Sequence, residues 1–432
     1  MFTPAEAVNY LHSRLGDQPH RLDEAAELAA DLGRHPLALA QAAAYIVDQD
    51  LTCAGYRRRL TRRRLHMLRP QVLPDDQHTP VADTWALSID LADGATGGVA
   101  GILLRLAGLL DPNGIPTGLF ATAAVTGYCT TRTRQPVDGD DTHDALHALH
   151  RLSLIAAPPA VSSSAGGLIR VHALLQRVVR EHTPAEEEHD LAVAAVDAIN
   201  EVWPTQEPDA GTAQPLRANT TTLHQHTDRH LWTTTGGHPI LFRTGHSLGT
   251  TGPVAATRDY FHQLRTTALH HLGPDHLDTL TTRGNLAFWR GRAGDAAGAA
   301  AAFEQLLADR VRVLGQDHPD TLITRHSFAF WRGRAGDPAG AAAAFEQLLA
   351  DRVRVLGQDH PDTLITRHSF AFWRGRAGDA AGAAAAFEQL LADYLRVLGP
   401  DHPETLKTRH NYADWRGEAG DPVGADGEES AK

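Results

Sequence analysis

The chain has 432 residues, enough for two or three domains with cores of their own. A formal charge of −12 gives no overall drive toward nucleic acid or an anionic membrane, and two cysteines, Cys53 and Cys129, form neither a disulfide framework nor a zinc spacing. No apolar run reaches the ~18 residues of a membrane helix, and the start, MFTPAEAVNYL, lacks the parts of a signal peptide, so a cytoplasmic protein without membrane contact is expected.

Residues 4–68 read as helices, and 1–68 as a helical domain. Ala25 to Leu32 is amphipathic, Gly33-Arg34-His35-Pro36 breaks it, and Leu37 to Val47 is so apolar that it must be buried. Tyr56 to Leu68 carries Arg57, Arg58, Arg59, Arg62, Arg63 and Arg64. Such a cluster can grip phosphate, but the arginines surround Leu60 and Leu65 at helical spacing, which favours a solvated helix face. Residues 69–80 read as a linker.

Between 80 and 182, helices are expected over Thr84–Leu91, Ile102–Leu110 and Asp144–Leu152, the second ended by the turn Asp111-Pro112-Asn113-Gly114. Leu154–Ala157 and Leu168–Val171 then form a hairpin across a Pro/Ser/Gly-rich tip, and His172–His182 returns to helix. Three helices and a terminal hairpin predict a winged-helix-like domain over 80–182. Residues 183–230 read as a helical connector, a helix at Glu186–Val202 followed by a polar stretch. The connector's His224, His226, Asp228 and His230 alternate like metal ligands, yet no apolar strand leads into them and the chain has 26 histidines. A surface helix or linker is the expectation, with no metal.

From 231 to 420 the chain is periodic. Trp289, Trp331, Trp373 and Trp415 recur every 42 residues, as do Gly294, Gly336, Gly378 and Gly420. Residues 315–356 and 357–398 differ only at Pro338/Ala380, Arg352/Tyr394 and Val353/Leu395, which leaves 39 of 42 identical. Each repeat punctuates itself as two helices. The first opens at His318-Pro319 and ends at Gly336; the second opens at Asp337-Pro338, carries Phe345, Leu348, Leu349, Val353 and Leu356 on one stripe, and ends at Gly357. A strict period in helix-forming residues predicts a solenoid. Gly252, Phe261 and Gly273 mark a worn first repeat over 231–272, Pro403–Gly417 supplies a last first helix, and 421–432 has no periodicity and reads as a disordered tail. The fold class expected is mainly α: a helical domain, a winged-helix-like domain and an α-solenoid.

Two resemblances sharpen this. The Leu-Gly-x-Asp-His-Pro-Asp-Thr-Leu of 314–322, Arg325-His326-Ser327-Phe328-Ala329, Gly336 and Ala344/Phe345 resemble the 42-residue tetratricopeptide repeat of kinesin light chains and bacterial signalling proteins. That likeness implies capture of extended or helical peptides on the concave face of the first helices. Leu32 to Ala40, with Gly33 and Pro36-Leu37-Ala38-Leu39, and Val171-His172-Ala173-Leu174 resemble two motifs of the NB-ARC signalling ATPases of the STAND class, in the family's order. This likeness implies that Pro36 packs on adenine and His172 reaches the β-phosphate of ADP. There is no Gly-x-x-x-x-Gly-Lys-Ser/Thr and no Walker B strand, and the residue after His172 is Ala173 where the family has aspartate. The chain thus resembles the regulatory half of such a switch, with no cofactor of its own unless a P-loop-bearing polypeptide supplies the rest.

The ladder Arg283, Arg325, Arg367 and Arg409, with Asn285 and Asn411 beside it, is the candidate partner contact. Arginine forks suit carboxylates and so an acidic peptide; the asparagines suit a ligand backbone. The competing expectation is that these arginines pair with Asp278, Asp320, Asp362 and Glu404 of their own repeats. His276, His318, His360 and His402 precede helix starts and need no role beyond a turn. The function expected is a non-enzymatic signalling adaptor, against an ATPase component completed in trans and a winged-helix DNA-binding regulator, which the acidic balance opposes.

Overall fold

The structure, a computed structural model, describes residues 2–16, 19–48, 50–62, 81–156, 167–207 and 210–420. The linker at 69–80, Arg63 and Arg64, most of the hairpin tip and the tail lie outside them. The chain divides into two compact units, one of residues 1–233 and 238–247, the other of 234–237 and 248–432.

In the first unit, α1 (Pro4–Leu15), α2 (Ala25–Asp31), α3 (Pro36–Asp48) and α4 (Cys53–Arg62) enclose one core. Helix α1 starts on a reciprocal cap in which Thr3 Oγ accepts from Glu6 N and the Glu6 carboxylate accepts from Thr3 N at 2.7 Å. Leu11, Leu28, Leu32, Leu39 and Ile46 are buried there together with Leu174, from a helix more than a hundred residues on. Arg57 is paired with Glu24 and Asp31, and Arg59 donates to the Tyr45 hydroxyl, which supports the solvated-face reading for those two arginines.

Helices α5 (Val81–Thr96) and α6 (Val99–Ala107) come next, then strand β1 (Ile115–Pro116), α7 (Ala123–Thr133), α8 (Gly139–Arg151), β2 (Ile155–Ala156), β3 (Leu168–Val171) and α9 (Ala173–His182). The strands form an antiparallel sheet in the order β1-β3-β2, with Ile115 opposite Ile169 and Ile155 opposite Val171. All four side chains are buried. Helix α9 ties the unit together: Gln176 Nε2 donates to the carbonyls of Ala107 and Leu110, and Arg177 donates to the carbonyl of Leu60. Helix α10 (Glu188–Val202) follows. The polar connector expected after it is instead an 18-residue helix, α11 (Ala210–Thr227), with Pro215 inside.

Helix α12 (Pro239–Thr251) contains the boundary between the units, since the second unit resumes at Leu248. Thereafter the helices alternate: α13 (Val254–Leu272), α14 (Leu277–Arg292), α15 (Ala296–Leu314), α16 (Pro319–Arg334), α17 (Pro338–Leu356), α18 (Pro361–Arg376), α19 (Ala380–Val397) and α20 (Pro403–Glu418). Each packs on the next, making the expected helical solenoid. The punctuation follows the chemistry. Asp295, Asp337 and Asp379 cap the second helices, and glycines at positive φ, such as Gly315 at 90°, end them.

Every full repeat builds the same small core and closes it with its neighbour's tryptophan. Leu322, Ala329, Ala341, Phe345 and Leu348 are buried with Trp373, and the positions 42 residues earlier, Leu280, Ala287, Ala299, Phe303 and Leu306, with Trp331. The indole enters because the helix before it carries glycine: a Cβ on Gly291, Gly333 or Gly375 would lie 2.5–2.6 Å from the ring of Trp331, Trp373 or Trp415. Gly249, near the end of α12, takes Trp289 in the same way. No helix among the described residues is long and apolar enough to cross a membrane.

Candidate functional site

The ladder of Arg283, Arg325 and Arg367 is already engaged within the solenoid. Their guanidinium groups donate to Asp309, Asp351 and Asp393 at 2.7, 2.7 and 2.5 Å, from the first helix of a repeat to its second. Self-pairing is therefore what the structure displays, but the acid is not the one expected. Asp278, Asp320 and Asp362 sit in the first turn of the same helix, whereas the Asp 26 residues on faces the arginine across the hairpin. Arg283 and Arg325 hold Asp309 and Asp351 below the usual carboxylate range. Arg409 is exposed, with no second helix after it among the described residues. Asn285 turns back to the Thr281 carbonyl, and Asn411 Nδ2 lies 2.7 Å from His368 Nε2.

A second set of ion pairs braces each hairpin. Arg312, Arg354 and Arg396 each bind both oxygens of Asp275, Asp317 and Asp359. His276, His318, His360 and His402 are helix caps, with Nδ1 accepting from the backbone N–H two residues on at 3.1–3.2 Å. That accounts for the repeated Asp-His without a ligand.

Two positions carry chemistry that periodicity alone missed. Arg310 and Arg352, 7% and 3% exposed, reach from a second helix into the next repeat, where each donates to a carbonyl (Asp320, Asp362) and a threonine hydroxyl (Thr324, Thr366). One repeat later the position holds the buried Tyr394. The other is the open face of the first helices. Residues 281, 285, 288 and 292 lie on one side of α14 at helical spacing, and their counterparts repeat on α16 and α18. Ile323, Ile365, Phe288 and Phe372 are 49, 45, 40 and 37% exposed. The phenylalanines join the tryptophans in an unbroken ribbon: Phe288–Trp331, Phe330–Trp373 and Phe372–Trp415 centroids lie 6.0–6.3 Å apart, and each phenylalanine also touches the tryptophan beside it in sequence. At the end of this face stand Arg292, Arg334 and Arg376, exposed and without an ion pair among the described residues. Each lies four residues after its phenylalanine, a spacing visible in the sequence.

In the first unit, Pro36 opens α3 and His172 caps α9, and the structure brings their surroundings together. His172 Nε2 is 3.2 Å from the Gly33 carbonyl, and its ring lies 5.6 Å from that of His35 and 6.2 Å from that of Trp85. Its Nδ1 accepts from Leu174 N at 3.1 Å, so Nε2 carries the proton and donates to Gly33. Both ring nitrogens are thus spent inside the chain. Gly33 has φ of 59°, and a Cβ there would meet the imidazole at 2.4 Å. Burial lowers the pKa of His172, and lowers that of His35 to about 4 with help from the His172 charge.

Of the alternating histidines of the connector, His224 pairs with Asp228 at 2.8 Å, whereas His226 and His230, the latter 3.6 Å from Glu188, line one cavity of about 100 Å3 together with Arg180. Among the described residues no group of three or more possible ligands gathers. Cys53 and Cys129 are buried, and burial raises their thiol pKa values to about 11 and about 12.

A tetratricopeptide-repeat sequence profile matches residues 279–320, 321–362 and 363–404. Similar solved structures include the nearly identical TPR-like repeats of a Podosopora anserina protein described as a kinesin light chain, at 23% identity, covering 43% of this chain and 87% of that one, with a TM-score of 0.40. BtubC (BKLC) from P. vanneervenii is similar at 14% identity, over 55% of this chain and 85% of that one, with a TM-score of 0.39. No curated protein matches the sequence. Residues 279–404 of this chain are tetratricopeptide repeats.

Proposed function

We propose that the chain is a non-enzymatic adaptor that holds a protein partner along the open face of its first helices. The observation that carries this reading is the ribbon of phenylalanine and tryptophan rings running across three repeats, with Phe288 and Phe372 exposed and Phe330 half-buried. Exposed apolar strips of this kind are docking surfaces, and aromatic residues supply most of the energy at such contacts. Phe330 packs against the cores of two repeats, while their fully buried positions are filled by Leu, Ala, Phe303, Phe345 and Trp side chains. Replacement of Phe288, Phe330 and Phe372 by serine, followed by comparison of proteins that co-purify with the chain from its host, tests it. A partner lost from a variant with unchanged circular dichroism supports the reading; the same partners retained would sink it.

A second reading has one observation in its favour. The chain would be the regulatory half of a STAND-type switch, in which the 80–182 region is a winged helix and a P-loop polypeptide completes an ADP or ATP site at Pro36 and His172. Its support is that Gly33 and His172, 139 residues apart, are in contact. Against direct phosphate contact stands the ring's bonding, since neither nitrogen is available without breaking a hydrogen bond. Calorimetric titration with ADP and with ATP–Mg2+, alone and with a P-loop polypeptide, decides: saturable heat lost in His172→Ala would support the reading, and silence in both cases would remove it. The DNA-binding use of a winged helix finds no support in α8, whose start carries Asp138, Asp140, Asp141 and Asp144 and repels a phosphate backbone.

A further inference from the structure

We propose that the cavity between the ends of α9 and α11 binds a small tetrahedral oxyanion, either free phosphate or the phosphate group of a small monoester, through Arg180, His226 and the first turn of α10. The site lies wholly within the first unit and owes nothing to the solenoid or to the adaptor reading.

Its walls come from separate parts of the chain. Arg180 stands in the last turn of α9, Glu188 in the first turn of α10, His226 in the last turn of α11 and His230 in the short turn after it, with Leu109 and Leu191 as the apolar wall. The volume of about 100 Å3 has room for an ion of a few heavy atoms.

The charges around it leave a cation over. Arg180 donates to the Gly108 carbonyl and has no carboxylate partner among the described residues. The acids near it in sequence are held elsewhere: Glu181 by Arg177, Glu187 by Arg132 and Glu188 by Arg229. Burial, with the Arg177 charge second, lowers the pKa of Arg180 to about 10, so the group is charged at neutral pH yet drawn away from water. A partly buried cation without an acid is costly, and an anion in the cavity removes that cost.

Two further donors face the same space. His226 makes no hydrogen bond and no ion pair among the described residues, which leaves a ring N–H for a ligand. Helix α10 has no side-chain cap, because the Glu187 carboxylate at its N-cap is turned toward Arg132 and Arg105. The positive end of that helix thus borders the cavity, and such an end favours an anion. Glu188, the carboxylate on the wall, is neutralised by Arg229. Guanidinium, imidazole and helix end belong to three different helices, an arrangement suited to the several oxygens of a tetrahedral ion. A bound phosphate would join α9, α10 and α11.

The test is calorimetric titration of the full chain with inorganic phosphate, paired with melting in phosphate and in sodium chloride of equal ionic strength. Saturable heat and a Tm that rises with phosphate are expected. H226A removes a side chain with no internal bond and should fold as the parent does, with binding weakened about three- to tenfold; R180K keeps the charge but loses the fork and should weaken it about tenfold. H143A, at an exposed histidine of α8, should bind as the parent does. Should R180K fail to fold, H226A decides alone. No saturable heat up to about 10 mM phosphate, or equal binding by the parent and H226A, would overturn the site. O-phosphoserine titrated in the same way separates the sources: tighter binding than phosphate, lost in H226A, supports the site as one for a monoester, and weaker binding supports it as one for the free ion. Succinate that displaces phosphate at a lower concentration than phosphate itself would overturn the tetrahedral assignment.

Discussion

The two units are held together in opposite ways. In the solenoid each stabilising contact is made several times, so that the indole entering Gly291 is matched by those entering Gly333 and Gly375. In the first unit each contact is made once: one His172 on one Gly33, one Gln176 beneath two carbonyls. Repetition makes the solenoid a sum of nearest-neighbour terms, whereas single contacts make the first unit dependent on each of its parts. A surface that recurs can be spared for binding, and this is where the exposed phenylalanines are found.

Trp373→Ala is the severest test of this contrast. It empties the centre of one seam and should cost about 3–5 kcal/mol, yet leave the seams at Trp331 and Trp415 intact. Urea unfolding followed by hydrogen exchange should then show protection lost around α16 to α18 first; uniform loss across the array would refute the nearest-neighbour account. The glycines come next. Gly333→Ala sets a methyl about 2.6 Å from Trp373 and should cost about 1–3 kcal/mol. Gly417→Ala, at the equivalent position with nothing within 4 Å, should be neutral or gain up to about 1 kcal/mol from helix propensity. In the first unit, Gly33→Ala combines positive φ with a collision on His172 and should also cost about 1–3 kcal/mol, here as melting of the whole unit.

Acid should reach both units in the same window. Burial, with the Arg352 charge second, lowers the His326 pKa to about 4, and burial with Lys407 second does the same for His368. The unfolded chain therefore binds more protons than the folded one between about 4 and 6.5. The stability from these neutral rings is complete above pH 6.5 and is lost as pH falls toward 4. His326→Phe keeps the ring on Phe345, whose centroid is 4.9 Å away, and removes the titration, so Tm between pH 7 and 4.5 should fall less than in the parent. The smallest change is expected from Arg283→Gln, which breaks a half-exposed pair with Asp309 and should shift stability by under about 1 kcal/mol in urea unfolding.

What could be read in advance followed from strict period and strong punctuation. The 42-residue spacing, the Asp caps and the closing glycines are written in residue types whose backbone preferences are steep, and the helices stand where those residues put them. Helix α7 was not foreseen because AAVTGYCTTRT has four threonines, a glycine and no apolar stripe. Helix α11 was missed because Pro215 and a run of Thr, Asn and His conceal it, although the chain tolerates that proline near its first turns. Strand β1 is two residues long and shows only through its pairing with β3. The expected ladder mixed two sides of a helix. Arg283 and Asn285 are neighbours in sequence but about 200° apart around the helix, so Asn285 shares its side with Thr281, Phe288 and Arg292 and not with Arg283. Which acid an arginine chooses was beyond the pattern, because the partner lies on the other helix of the hairpin.

The fit of indole to glycine has a consequence for the gene as well as for the protein. The hollow at Gly333 and the hollow at Gly375 accept the same ring, so loss or gain of one 42-residue unit by unequal recombination creates junctions indistinguishable from those already present. No compensating substitution is needed before the altered chain can fold. The array can therefore lengthen or shorten between generations in whole steps, and each step would add or remove one seat along whatever it holds.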